Sequence, residues 1–185
     1  MWVKLLKKNK MDKAIFAGGC FWCTEAVFQR VKGVEQVKSG FCGGHIKNPP
    51  YREVLQGRTG HAEAIEITYD SEVVSYKDLV AVFMATHDPT TLNRQGYDVG
   101  THYRSAIFYL NDQQENTARD YIKNLEDKGV YTELLVTEVA PATVFYPAED
   151  IHNEYYNNNR EQGYCQVIID PKIKKLMTGF KELVK

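Results

Sequence analysis

A chain of 185 residues, 43% hydrophobic and 25% charged, has the composition of a soluble globular protein and is long enough to bury a proper core without disulfide staples. Its formal net charge of -1 leaves no basic excess to replace counterions on phosphates, which argues against nucleic-acid binding. Residues 1–10 are basic and mildly apolar, but their apolar run is too short for a signal peptide and no small-residue cleavage site follows. No membrane attachment and a cytoplasmic location are therefore expected. In a reducing compartment, a close pair of thiols points to catalysis or redox sensing more than to scaffolding.

No repeat, low-complexity tract or linker divides the chain, so residues 1–185 read as a single catalytic domain with residues 1–11 as an N-terminal extension. Residues 13–17 read as a strand and 22–32 as a helix ended by Gly33, with Val27, Phe28 and Val31 at helical spacing. Residues 34–41 form a second strand, 40–50 a breaker-rich loop, and 62–69 a third strand with alternating character. Ser75 caps a helix running to about His87, with Asp78 three residues on. Residues 103–110 read as a strand, Asn111 opens a polar helix that stops at Gly129, and 131–140 read as another strand. A short helix over 148–157 follows, and Asp170-Pro171 starts the last helix. Strands and helices without steady alternation predict an α+β two-layer sandwich: a mainly antiparallel mixed sheet covered by helices, with a ferredoxin-like core.

Cys20 sits where the first strand turns through Gly18-Gly19 into a helix. The positive end of the helix dipole and the unpaired backbone N–H groups there favour thiolate, and the glycines leave the sulfur uncovered. Two aromatics, Phe21 and Trp22, then a second thiol, Cys23, follow directly; a nucleophile flanked by aromatics suits a small, apolar substrate. Two blander readings exist. The cysteines could be core residues, or half of a zinc site, although Cys42 and Cys165 stand alone without a neighbour at ligand spacing. A general thiol–disulfide oxidoreductase built on Cys20 and Cys23 is the rival enzyme; it leaves Phe21, Trp22 and Glu63 with no role.

Alternation along residues 62–69 puts Glu63 on the face of Ile65, Ile67 and Tyr69, with Glu66 on the other. A carboxyl on an apolar face is raised toward neutrality by desolvation, ready to give up a proton. The competing reading is a shifted register, or a salt bridge from Glu63 to His61 or Arg58. A thiol beside a protonated acid describes reduction of an oxygen-bearing centre, in which sulfur attacks and the acid protonates the departing oxygen. His61, His87, His102 and His152 read as structural.

Several longer runs carry a family resemblance: Gly19-Cys20-Phe21-Trp22, Gly43-Gly44 leading to Pro50-Tyr51-Arg52-Glu53-Val54, Thr59-Gly60-His61-Ala62-Glu63-Ala64, residues 87–101 with Tyr103-Arg104-Ser105-Ala106, residues 145–150 with His152, and Tyr164-Cys165. Together, over residues 12–180, they resemble peptide methionine sulfoxide reductase, type A. The resemblance implies that Cys20 attacks the sulfur of methionine S-sulfoxide, that Phe21 and Trp22 hold the substrate methyl group, and that Glu63 protonates the oxygen. It also implies that Tyr51 and Tyr103 hydrogen-bond that oxygen and that Asp98 orders the polar side of the pocket. Cys20 would become a sulfenic acid, a second thiol would condense with it, and thioredoxin would reduce the disulfide. Neither cofactor nor metal is implied, and a monomer is expected. Many members have glycine where this chain has Cys23 and another residue where it has Cys42. Three thiols therefore compete to resolve the sulfenic acid: Cys165, on a segment flexible enough to swing, ranks first, Cys23 second and Cys42 last.

Overall fold

The computed structural model of the protein describes residues 10–185. In chain order these form β1 (Met11–Gly18), α1 (Phe21–Phe28), β2 (Val34–Cys42), α2 (Tyr51–Leu55), β3 (Ala62–Asp70) and α3 (Tyr76–Thr86). A small hairpin, β4 (Arg94–Gln95) and β5 (Asp98–Val99), precedes β6 (Ser105–Tyr109), α4 (Asp112–Asp127), β7 (Glu138–Pro141), β8 (Tyr146–Pro147), α5 (Tyr155–Asn158) and α6 (Asp170–Gly179). The main sheet has the order β7-β6-β1-β3-β2-β8. Its neighbours run antiparallel except β6 and β7, which are parallel. The four central strands with α1 and α3 follow a β-α-β-β-α-β path, and the architecture is α+β as expected.

Period-two alternation divides the sheet into two unlike faces. Ala14 and Phe16 of β1, Phe41 of β2 and Ile65 and Ile67 of β3 join the core beneath the helices, with Phe28 of α1 and Phe83 of α3; Phe16 stacks on Phe83 at 4.8 Å between centroids. The other face carries Ile15, Ala17, Ala62, Ala64, Ala106 and Phe108 under Ala140, Ala142 and Phe145. Glu66 lies on that face and pairs with Lys13 at 2.9 Å. Glu63 is therefore on the helix-covered side, as the alternation requires.

Helix α3 begins on a reciprocal capping box: Asp78 N–H donates to Ser75 Oγ at 3.0 Å and Ser75 N–H donates to Asp78 Oδ2 at 3.2 Å. Ser75→Ala removes one of these bonds and is expected to lower stability by about 1 kcal/mol in urea unfolding.

Several elements differ from the sequence reading, each through a long-range contact. Helix α1 stops at Phe28 because the next turn is captured by the C-terminus: Lys32 N–H donates to Leu183 O and Lys185 N–H to Arg30 O. Of residues 131–140, only the end is strand, since β7 pairs solely along Ala106–Tyr109 of β6. The helix over 148–157 breaks into a 3-10 turn (Asp150–His152) and α5, with Glu154 between them in the left-handed region at φ 57. Its N–H donates to the buried Glu25 carboxylate at 3.0 Å, and Asn153 Oδ1 accepts from Ser39 N–H. The last helical stretch starts before Asp170-Pro171, through a π-turn over Cys165–Ile169. Pro171 has no N–H to donate, and the wider turn absorbs that missing bond. Tyr103 belongs to a 3-10 turn (Thr101–Tyr103) ahead of β6. Met11 already pairs with Asp70, so the sheet begins inside the expected extension; residues 1–9 of that extension lie outside the described residues.

Candidate active site

Strand β1 delivers the chain to the site through two glycines that a side chain would block. A Cβ on Gly18 would meet the Phe83 ring at 2.8 Å, and Gly19, at φ +90, would put one 2.6 Å from Gln95 Cγ. Cys20 then takes the N-cap position of α1 and lines an open cleft of about 870 Å³ together with Cys23, His87, Asp98, Tyr164 and Lys172.

Glu63 reaches this helix end from β3. It is 1% exposed, its Oε2 accepts the Phe21 N–H at 3.1 Å, and its Oε1 is buried with no partner among the described residues. Burial pushes the carboxyl up to about 8, the Phe21 N–H opposes the shift, and negative charge at Asp98 and Cys23 adds to it. At neutral pH Glu63 is a carboxylic acid with a free oxygen. The salt-bridge alternative does not hold: His61 accepts the Gly44 N–H and its Nε2 lies 2.8 Å from Ile46 O, and Arg58 has no ion pair among the described residues.

The same contact changes the expectation for Cys20. A free helix N-terminus would favour thiolate, but the Phe21 N–H is spent on Glu63. Burial, followed by Cys23 and then the Glu63 charge, pushes the Cys20 thiol well up, against only the Trp22 N–H. Cys23 moves the other way, lowered by a hydrogen bond from the Cys20 thiol and, against its own burial, by the Lys172 charge and the Tyr164 hydroxyl. The pair holds a proton on Cys20 and negative charge more readily on Cys23.

Aromatic rings pack around the helix end beside the cleft; of these, Tyr164 lines the cleft itself. Tyr51, the first residue of α2, stacks on Phe21 at 6.0 Å and meets His152 at 4.4 Å. Trp22 lies face to face with Tyr155 at 3.7 Å and 7°, and has Tyr164 edge-on at 6.1 Å. Its indole N–H donates to His152 Nδ1 at 3.3 Å. Burial, reinforced by the Glu63 and Cys20 charges, raises both Tyr51 and Tyr103, so both hydroxyls stay protonated donors. Asp98 accepts the Tyr164 hydroxyl at 2.8 Å, and that oxygen is 3.6 Å from Cys23 Sγ.

Of the other thiols, Cys165 is fully buried in the π-turn, in one cluster with Cys20, Cys23, Tyr156 and Ile169. Its segment is helical and packed, unlike the swinging segment expected. Cys42 pairs with Ala62 across β2 and β3 and lies on the opposite face of the sheet, 3.7 Å from Thr143 O. Among the described residues no group of three or more His, Cys, Asp or Glu is disposed to hold a metal ion. The tertiary structure thus gathers Cys20, Phe21, Trp22, Cys23, Tyr51, Glu63, Asp98 and Tyr103 and leaves Cys42 apart. Sequence reasoning passed over Tyr155, which stacks on Trp22, and over Lys172, while His152, read as structural, accepts the Trp22 indole N–H. The tyrosine density of residues 155–164 was the available signal for Tyr155.

The family sequence model described as "Peptide methionine sulfoxide reductase" matches residues 12–183. The chain belongs to this family. It is 56% identical over 165 residues to a peptide methionine sulfoxide reductase MsrA of Deinococcus radiodurans, covering 89% of this chain and 80% of the relative. The solved structure of methionine sulfoxide reductase A of Corynebacterium diphtheriae superposes with a TM-score of 0.79 at 36% identity, over 87% of this chain and 80% of that one. Mxr1 from Saccharomyces cerevisiae in complex with Trx2 shares the fold at a TM-score of 0.54 and 22% identity, over 87% of this chain and 91% of that one. The protein is an oxidoreductase that uses thiol chemistry on methionine sulfoxide.

Proposed function

We propose that residues 12–183 act as one catalytic domain reducing the S epimer of methionine sulfoxide, free or in proteins. The observation that carries the residue assignment is Glu63, buried as an acid against the helix end that bears Cys20. Cys20 sulfur attacks the substrate sulfur while Glu63 hands a proton to the oxygen. The oxygen passes to Cys20, which becomes a sulfenic acid; the substrate sulfur gains the two electrons that Cys20 loses, and methionine leaves. Phe21 and Trp22 hold the methyl group, Tyr51 and Tyr103 donate to the oxygen, and Asp98 orders the polar wall through Tyr164.

Cys23 condenses first with the sulfenic acid, releasing water, and Cys165 follows by thiol–disulfide exchange with Cys23. This reverses the order expected from the sequence. It is supported by the i, i+3 spacing of Cys20 and Cys23 on one helical turn, both lining the cleft, and by the burial of Cys165 behind them. A thioredoxin-type dithiol then restores the thiols, in keeping with the complex of Mxr1 with Trx2. A cytoplasmic location fits four free cysteines, and among the described residues no helix is long and apolar enough to cross a membrane.

One experiment tests both parts. With each sulfoxide epimer and no reductant, the enzyme should release methionine from the S epimer only, and peptide mapping of samples quenched during the first equivalent should find Cys20 linked to Cys23 before a Cys23–Cys165 pair accumulates. Consumption of both epimers sinks the specificity, and a Cys20–Cys165 pair that also forms in Cys23→Ser at the same rate sinks the order of resolution.

A further inference from the structure

We infer that Lys172 is a positioning residue of the thiol chemistry: its ammonium is the counter-ion for negative charge on the Cys23 sulfur. The inference rests on the reading that Cys23 resolves the sulfenic acid.

Helix α6 packs against both α1 and α3, and Lys172, on its first turn, lines the cleft that Cys20 and Cys23 also line. Its Nζ donates to the Thr86 carbonyl at 3.2 Å, and among the described residues it forms no ion pair with a carboxylate. A half-buried ammonium compensated by one neutral carbonyl is short of negative charge. Burial lowers it, and Cys23 is the first group that opposes the lowering, ahead of Cys20 and Asp88.

Among the surrounding charges Asp88 also favours the ammonium, after the two sulfurs. Lys175, on the same helix, repels it. Asp88 is engaged by the Thr90 N–H and hydroxyl, and Asp98 by the Tyr164 hydroxyl. His87 is fully buried and neutral, pushed down to about 4 by desolvation, with both ring nitrogens bonded to Phe83 O and Ser105 Oγ. Of the two sulfurs, Cys23 is the one lowered by the ammonium, while the Glu63 charge adds to the rise of Cys20. In the resolving step the Cys23 thiolate attacks the sulfenic sulfur of Cys20: the S–S bond forms, the S–O bond breaks, and hydroxide leaves as water with a proton delivered from solvent through Glu63. Cys23 is oxidised by one electron and Cys20 reduced by one. Raising the share of Cys23 present as thiolate speeds only this step.

The test compares wild type with Lys172→Met and Lys172→Gln, made in parallel so that misfolding of one leaves the other to decide, and with Lys172→Arg. Ultraviolet thiolate absorbance is followed against pH, each protein minus its Cys23→Ser counterpart. Loss of the charge should move the Cys23 titration up by about one pH unit and slow disulfide formation about tenfold at neutral pH, and Lys172→Arg should restore both. A merely structural lysine would move neither the titration nor its rescue by arginine. The burst of methionine without reductant is measured in the same samples. A burst with an unchanged Cys23 titration and disulfide rate overturns the role of Lys172 alone; a first disulfide in wild type that joins Cys20 to Cys165 overturns the parent reading instead.

Discussion

Cys20→Ser should abolish dithiothreitol-dependent formation of methionine from methionine S-sulfoxide, by on the order of a thousand-fold or more, down to the background of the assay. A serine hydroxyl ionises far above neutrality and has no accessible oxidation to a sulfenic acid, so neither the attack nor the oxygen transfer has a substitute. Cys23 does not rescue it. Cys23 is 3% exposed, and its sulfur lies 3.6 Å from the Tyr164 hydroxyl, one helical turn beyond the helix end whose Phe21 N–H binds Glu63. The variant should unfold within a few degrees of wild type, because the residue sits at an N-cap, where serine is favourable. Turnover in Cys20→Ser at even a tenth of the wild-type rate would transfer the nucleophile's role to another thiol.

Glu63→Gln should slow turnover by about a hundredfold to ten-thousandfold, the range for removing a general acid, while leaving substrate binding nearly unchanged. Glutamine keeps the Phe21 N–H bond that Glu63 Oε2 now makes, so the helix end stays in place and only the proton is lost. In wild type the acid form prevails below its value of about 8, so the rate should fall as pH rises through that region; in Glu63→Gln that limb should vanish. Stability follows the same group. A carboxyl raised on folding binds its proton more tightly in the native state, so its cost is absent below the unfolded value near 4.5 and grows as pH rises toward about 8. Glu63→Gln should accordingly be the more stable protein above neutrality, by on the order of 3 kcal/mol. Urea unfolding at pH 5 and pH 8 reads this directly, and an equal offset at both would deny that Glu63 is held protonated by burial.

The two variants also separate electrostatics from geometry. Cys20 and Glu63 are each raised by burial, and the Glu63 charge adds to the rise of Cys20. A resting site with both groups protonated is stable until a sulfoxide oxygen arrives to accept the Glu63 proton. Ionisation of Cys20 is then coupled to substrate, with Cys23 as the neighbouring sulfur best able to carry the displaced charge.

Much of this was legible in the residues because the signals are local. The strand ending in Gly18-Gly19, the helix opening at Cys20, the capping pair Ser75 and Asp78, and the side of β3 that carries Glu63 each follow from periodicity or turn chemistry within ten residues. The runs around Cys20, Tyr51, Glu63 and Asp98 carried the family, and the α+β class came from the order of elements. What the residues did not reveal depends on partners far along the chain. Whether the helix N-terminus would lower the Cys20 thiol turned on Glu63, which takes the Phe21 N–H across 42 positions. Where α1 stops turned on Leu183 and Lys185. The extent of β7 turned on the few residues of β6 open to pairing, and the burial of Cys165 on a π-turn that fits Pro171 into a continuous helical stretch. Sequence by itself determined the family and the element on which each candidate group stands. Only the tertiary structure decided the direction in which burial and neighbours move their protonation, because desolvation and charge act through space between segments that no local pattern links.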